Sequence, residues 1–205
     1  MKIVCLGSSS VEGIGDRKGY GWAGRLSNYL QDGSDISEYR VFNLGLKGDF
    51  LSGTIKRYES EALLRRPHLV IIFTGSNDCV THTKDSEIVK SPNSDKYIKL
   101  WDEFLPTLKN AGHKTLVLGP TMVNEKLGPL DYKGLEVSFK NKDLVKYNEH
   151  VKALCNKHEV EFLELFELFE DNIEEFSFDL VHPNENGYDL IFSKLITYLK
   201  EKNHV

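Results

Sequence analysis

The sequence lacks the cysteine and histidine patterns that carry metal and disulfide chemistry. Its three cysteines, Cys5, Cys79 and Cys155, are odd in number and widely spaced, with no CxxC pair and no Cys/His spacing suited to zinc. No Gly-x-Gly-x-x-Gly motif directly follows a strand pattern, and no Gly-Lys-Ser/Thr is present, so neither a dinucleotide fingerprint nor a phosphate-binding loop is indicated. We expect no metal, no cofactor and a reducing compartment.

The chain also lacks a basic excess and a long apolar run. Lys and Arg total 26 and Asp and Glu total 31, giving a net charge of -5, which argues against an electrostatic grip on nucleic acid or an anionic membrane. No apolar stretch has the length needed to cross a bilayer. Because Met1-Lys2 leads directly into a strand pattern, we expect no signal peptide. We expect a cytoplasmic protein that acts on a small neutral molecule.

Short runs rich in β-branched and aromatic residues alternate with helical patterns along all 205 residues. The predicted strands cover 2–6, 39–44, 68–73, 115–118 and 161–165, and a last helix is predicted over 185–202 with Asn184 as its cap. Strict alternation predicts parallel strands joined by right-handed crossovers. The expected fold is one α/β domain, residues 1–205, a flavodoxin-like three-layer sandwich with a five-stranded parallel sheet. Two long loops, 79–93 and 119–140, are expected to be functional.

Four short polar motifs occur in a fixed order, and each follows a strand pattern. They are Gly7-Ser8-Ser9-Ser10, Asn43-Leu44-Gly45-Leu46-Lys47-Gly48-Asp49, Gly75-Ser76-Asn77-Asp78 and Asp179-Leu180-Val181-His182-Pro183. In a parallel sheet the four motifs would gather at the carboxyl edge, where open α/β sheets keep their sites. Each motif alone is an ordinary turn or helix start, and their conjunction is what indicates a site.

The residue types in the first and last motifs suit acyl transfer. Ser9 supplies a hydroxyl at a turn, and His182 supplies an imidazole, the side chain most often used as a general base. Asp179 stands three residues before His182, so one turn can hold the imidazole with one nitrogen protonated and the other free to accept the serine proton. The expected catalytic residues are therefore Ser9, Asp179 and His182.

The two middle motifs supply donors for the negative charge that develops on a carbonyl oxygen. Gly48 is predicted to begin the helix after the second strand, with its N–H pointing outward, and Asn77 offers a side-chain amide. The N–H of Ser9 is the third expected donor of this oxyanion hole.

With these residues in place, the chain resembles the SGNH or GDSL hydrolases over nearly its whole length. The resemblance implies that Ser9 attacks, that Gly48 and Asn77 join it in the oxyanion hole, and that Asp179 and His182 complete a triad. One departure stands out, because the usual Gly-Asp-Ser-Leu reads Gly7-Ser8-Ser9-Ser10 here. Ser8 and Ser10 therefore remain alternative nucleophiles.

The expected function is a serine esterase or acylhydrolase that cleaves a small-molecule carboxylic ester through an acyl-serine intermediate. Two alternatives stay open: a carbohydrate O-deacetylase or O-acyltransferase on the same triad, and a non-catalytic binding protein on the same scaffold. The expected substrate wall lies in the second long loop and is formed by apolar side chains, namely Met122, Val123 and Tyr132 together with Leu127 and Leu130. The sequence does not indicate the oligomeric state.

Overall fold

The structure, a computed structural model, describes residues 1–32, 38–84, 87–91, 96–132 and 134–205. Within these residues, the strands are β1 (Lys2–Gly7), β2 (Arg40–Gly45), β3 (Leu69–Phe73), β4 (Thr81–Lys84), β5 (Glu87–Lys90), β6 (Lys114–Leu118), β7 (Leu130–Tyr132), β8 (Leu135–Ser138) and β9 (Glu161–Leu163). The α-helices are α1 (Ser9–Glu12), α2 (Gly21–Gln31), α3 (Leu51–Arg57), α4 (Tyr97–Lys109), α5 (Asn141–Lys157), α6 (Ile173–Phe176) and α7 (Glu185–Glu201).

The central sheet has five parallel strands in the order β2-β1-β3-β6-β9. Side chains of β1 alternate between its faces, as strand geometry requires. Ile3 and Cys5 pack with α2 and α7 on one face, whereas Val4 and Leu6 pack with α3, α4 and α5 on the other. The predicted three-layer α/β/α architecture with a five-stranded parallel sheet is therefore confirmed.

A second, antiparallel sheet is the main feature that the sequence did not predict. Its four strands lie in the order β5-β4-β8-β7, and they belong to the two segments that were expected to be long loops. Thr81 of β4 pairs with Ser138 of β8, so the two segments form one small sheet. A separate apolar cluster, which includes Val123, Phe139 and Leu180, packs near it.

The segment after α3 continues as irregular helix. A π-helical turn covers Tyr58–Ala62 and a 3-10 turn covers Leu63–Arg65, after which Arg66 takes a left-handed conformation. The apolar spacing of Leu51, Ile55, Tyr58 and Ala62 predicts regular helix through this segment. At the other end of the chain, α7 begins with the predicted cap, because the Asn184 side chain accepts a hydrogen bond from the Gly187 N–H.

Candidate active site

The turn that carries Ser9 is fixed where β1 meets β3. A Cβ added to Gly7 would lie 2.0 Å from the carbonyl oxygen of Phe73, so this position accepts glycine alone. The Ser8 N–H donates to the same carbonyl oxygen over 3.3 Å, and Ser9 opens the short helix α1. As the first helical residue, Ser9 has an N–H for which the helix offers no acceptor.

The turn from Asp179 to His182 holds the imidazole in one orientation. Oδ1 of Asp179 accepts the backbone N–H groups of Val181 (2.9 Å) and His182 (2.8 Å). Oδ2 of Asp179 lies 2.8 Å from Nδ1 of His182. Because a carboxylate only accepts hydrogen bonds, Nδ1 is the donor, and Nε2 of the neutral ring is then an acceptor.

Nε2 of His182 lies 2.9 Å from Oγ of Ser9, although the two residues are 173 positions apart in the chain. Both are nearly buried, with 7% of Ser9 and 8% of His182 exposed. The result is a continuous hydrogen-bonded row of hydroxyl, imidazole and carboxylate. Within the described residues, neither Ser8 nor Ser10 makes such a contact with the imidazole.

The Asp179 carboxyl group is held in its charged form. Burial by itself would raise its pKa, but the hydrogen bond and charge of His182 and the backbone N–H groups of Val181 and His182 together lower the pKa below its usual range. An ionised Asp179 can stabilise the imidazolium that forms when His182 takes up a proton.

Asn77 lies beside the turn that contains Gly48. It belongs to a 3-10 turn, Ser76–Cys79, that follows β3, and its Nδ2 donates to the carbonyl oxygen of Asp49 over 2.9 Å. An asparagine amide carries two N–H groups, and this bond uses one of them. The Asn77 side chain is therefore anchored by one N–H, and its second N–H remains as a further donor.

Gly48 does not begin a helix, contrary to the sequence-based expectation. It has φ +78, a left-handed conformation that favours glycine, and α3 begins three residues later at Leu51. The Leu51 N–H donates to Oδ2 of the buried Asp78 over 2.9 Å, which fixes the helix start there. A Cβ added to Gly48 would meet nothing within 4 Å, so this turn faces open space.

Comparison with known protein families identifies the family of this chain. The model of the GDSL-like Lipase/Acylhydrolase family matches residues 5–190. The chain belongs to this family. Membership makes it a hydrolase that acts on ester bonds, and the predicted resemblance to the SGNH or GDSL hydrolases is confirmed.

The chain is also similar to solved structures of the same fold and to one curated relative. An acetyl xylan esterase, AlAXEase, is 20% identical with a TM-score of 0.75, over 97% of this chain and 100% of that one. A lipase/acylhydrolase from Enterococcus faecalis is 20% identical with a TM-score of 0.69, over 98% and 96%. The uncharacterized protein YpmR of Bacillus subtilis (strain 168) is 21% identical over 212 residues, which is 98% of this chain and 82% of YpmR.

The apolar side chains that were expected to form a substrate wall do not share one exposed surface. Val123 is only 3% exposed and packs in the apolar cluster near the antiparallel sheet, and Asn141 bonds both its N–H (2.8 Å) and its carbonyl oxygen (2.9 Å). A side chain so enclosed has little surface left for a ligand. Met122 is partly buried against the same cluster, and the side chain of Tyr132 lies outside the described residues. Of the wider set, Leu127 is largely exposed.

The sequence analysis missed two exposed apolar side chains and one partly buried cation. Leu46 stands two residues before Gly48, and Phe178 stands directly before Asp179; both are about half exposed. Each is a single apolar residue in a turn, so the sequence shows no helical or strand periodicity that would single it out. The partly buried cation is Arg57 at the end of α3, which pairs with Asp49. Its partners are distant in the chain, so spacing could not reveal them.

Neither a metal site nor a membrane span occurs in the ranges that the structure describes. No group of three or more His, Cys, Asp or Glu residues there could hold a metal ion. Likewise, none of the helices in those ranges has the length and apolar character required to cross a bilayer.

Proposed function

We propose that this GDSL-like hydrolase cleaves a carboxylic ester through an acyl-Ser9 intermediate. The observation that carries the proposal is the 2.9 Å contact between Nε2 of His182 and Oγ of Ser9, with Nδ1 held by Asp179 at 2.8 Å. This is the geometry that a general base needs to take a proton from a serine hydroxyl.

In the first half-reaction, Oγ of Ser9 attacks the ester carbonyl carbon while Nε2 of His182 takes the hydroxyl proton. The tetrahedral intermediate collapses, the C–O bond to the alcohol breaks, and the imidazolium returns its proton to the departing alkoxide. In the second half-reaction, a water loses a proton to His182 and attacks the acyl-enzyme, which releases the acid and restores the Ser9 hydroxyl. Asp179 stays ionised throughout and stabilises the imidazolium.

The oxyanion of each tetrahedral intermediate is proposed to accept hydrogen bonds from three donors. They are the N–H of Ser9, the N–H of Gly48 and the second N–H of the Asn77 amide. Removal of one such donor typically raises the barrier by about 3 kcal/mol, because the donors are already oriented when the charge develops.

The leading substrate class is a small ester with an apolar part. Leu46, Leu127 and Phe178 are exposed apolar side chains on or next to the segments that bear the site, and they offer contact area to an acyl or alcohol group. An acetylated carbohydrate is the second candidate, since acetyl xylan esterases are among the structures of similar fold. In that case the Ser9 acyl group is acetyl, and a sugar hydroxyl could replace water as its acceptor.

Covalent labelling tests the proposal against a non-catalytic binding protein. A fluorophosphonate probe should modify the wild-type protein once per chain and leave Ser9→Ala unmodified. Ser10→Ala is the matched control, because it removes a hydroxyl one residue away and should label like the wild type. Equal labelling of Ser9→Ala and the wild type, or no labelling of the wild type, would contradict the assignment.

A substrate series then separates the ester classes. Turnover of p-nitrophenyl esters of increasing acyl length should rise or hold if the exposed apolar side chains bind the acyl group. Preference for acetylated xylooligosaccharides over p-nitrophenyl acetate would favour the carbohydrate deacetylase instead. Adding an acceptor alcohol and measuring the new ester reveals acyl transfer.

A further inference from the structure

The turn that bears Gly48, one of the proposed oxyanion donors, is fixed by a partly buried ion pair that the proposed reaction does not use. Oδ2 of Asp49 accepts a hydrogen bond from a terminal nitrogen of Arg57 over 2.8 Å, and the two side chains are 9% and 14% exposed. Asp49 directly follows Gly48, and Arg57 is the last residue of α3. The pair therefore spans the turn and the helix that follows it.

Arg57 also reaches the ends of two strands. The same terminal nitrogen lies 3.3 Å from the carbonyl oxygen of Gly7, and the other donates to the carbonyl oxygen of Leu44. Gly7 precedes the Ser8-Ser9 turn, and Leu44 lies at the end of β2. One guanidinium thus contacts the nucleophile turn, the strand before Gly48 and the Asp49 carboxylate together.

Asp49 connects the same guanidinium to the third motif by two routes. Its carbonyl oxygen accepts Nδ2 of Asn77. Its carboxylate accepts the Thr54 hydroxyl over 3.1 Å, and Thr54 lies 2.9 Å from the hydroxyl of Thr74, next to the third motif. Because a carboxylate cannot donate, Thr54 donates to Asp49 and Thr74 donates to Thr54.

The Asp49 carboxylate is tightly packed against α3. A Cβ added to Gly53 would lie 1.9 Å from Oδ1 of Asp49, so the side chain packs directly on the backbone of α3. The Asp49 side chain is thus held by Arg57, Thr54 and the backbone at Gly53. Such a fixed side chain also restricts the Asp49 backbone, whose carbonyl oxygen accepts the hydrogen bond from the Asn77 amide.

We propose that Asp49 and Arg57 are positioning residues that preorganise the oxyanion hole, a role that rests on the function proposed above. Oxyanion donors are effective only if they do not reorganise during reaction, and a misplacement of about 1 Å can cost about 100-fold in rate. Arg57 has an electrostatic task as well, because it neutralises a carboxylate that would otherwise stand beside the developing negative charge.

The test compares four variants with p-nitrophenyl acetate as substrate. Asp49→Asn removes the charge that pairs with Arg57, Thr54→Val removes one hydroxyl donor to Asp49, and Arg57→Gln removes the whole guanidinium. Glu61→Gln is the matched control because it removes the more exposed partner of Arg57. We expect kcat to fall about 10- to 100-fold for Asp49→Asn and further for Arg57→Gln, with KM within about twofold, since only the transition state uses the donors. Thr54→Val should show a smaller fall, and Glu61→Gln should match the wild type.

Two further readouts separate positioning from loss of structure. An arylboronic acid forms a tetrahedral adduct with a nucleophilic serine, so its inhibition constant should rise in proportion to the fall in kcat. In the double variant Asp49→Asn, Arg57→Gln the loss should be smaller than the product of the single losses, because the bare carboxylate is gone. If Arg57→Gln fails to fold, Asp49→Asn and Thr54→Val still decide the outcome.

The proposal is overturned if folded Asp49→Asn and Thr54→Val keep wild-type kcat, or if KM and the boronate constant change without any fall in kcat. A wild-type protein that neither turns over the ester nor reacts with fluorophosphonate overturns the esterase assignment together with this one. An active wild type with unaffected variants overturns the positioning role alone.

Discussion

The two halves of the site are built in opposite ways. In the proposed proton-transfer half, the imidazole of His182 is oriented toward Ser9 by one short turn, in which Asp179 accepts the backbone N–H groups of Val181 and His182. In the proposed oxyanion half, which comprises Gly48, Asn77 and the neighbouring Asp49, the contacts come from separate elements: Asn77 donates to the Asp49 carbonyl oxygen, and Arg57 pairs with the Asp49 carboxylate. The comparison teaches that local sequence can orient a base, whereas the donors depend on contacts between distant segments.

The largest expected effect comes from removing either end of the hydroxyl–imidazole contact. Ser9→Ala or His182→Ala should each lower kcat by about 10⁴- to 10⁶-fold, because the residues act as one unit. The double variant should be little worse than either single variant. Kinetics on p-nitrophenyl acetate measure this, and multiplicative losses would contradict the contact as the source of activity.

The next effect probes the orienting carboxylate. Asp179→Asn should lower kcat by about 10⁴-fold, because an amide can present its N–H to Nδ1 and so favour the wrong imidazole tautomer. Asp131→Asn, a change in the small antiparallel sheet, is a control that should leave kcat unchanged. A loss below tenfold in Asp179→Asn would show that the turn alone orients His182.

A smaller effect is expected in the oxyanion half. Asn77→Ala should lower kcat by about 10²- to 10³-fold, since one of three proposed donors is lost. Its pH–rate profile should keep the wild-type shape, whereas that of Asp179→Asn should shift. If both variants shifted the profile equally, the division of the site into two halves would be wrong.

The same contrast explains what the sequence could predict. Strand β3 is fully buried and β1 is buried after its first residue, so their apolar composition predicts them. Asp179 and His182 are close enough in sequence for their pairing to be predicted directly. The antiparallel sheet escaped prediction because its strands have only three or four residues, and because the pairing that joins its two hairpins, β4 with β8, spans more than 50 positions.

Arg57 escaped prediction for a related reason. Its acceptors include the carbonyl oxygens of Leu44 and Gly7, which lie 13 and 50 positions away. A cation near the end of a helix ordinarily indicates a favourable helix dipole or an exposed i,i+4 pair, and Glu61 satisfies that simpler interpretation. Tertiary structure alone shows that the guanidinium faces the sheet.

The smallest expected effect is a pH dependence of stability that arises in the proton-transfer half. The pKa of Asp179 is lower in the folded protein than its ordinary value of about 3.9. The unfolded chain therefore binds more protons at acidic pH, so this carboxylate stabilises the fold above that ordinary value and loses its contribution as pH falls through the lowered folded pKa. Between pH 7 and pH 3, Asp179→Asn should lose less in thermal midpoint than the wild type does. Parallel losses in both proteins would mean that acid unfolding is governed by other carboxylates, and that the charge on Asp179 serves the imidazolium rather than the fold.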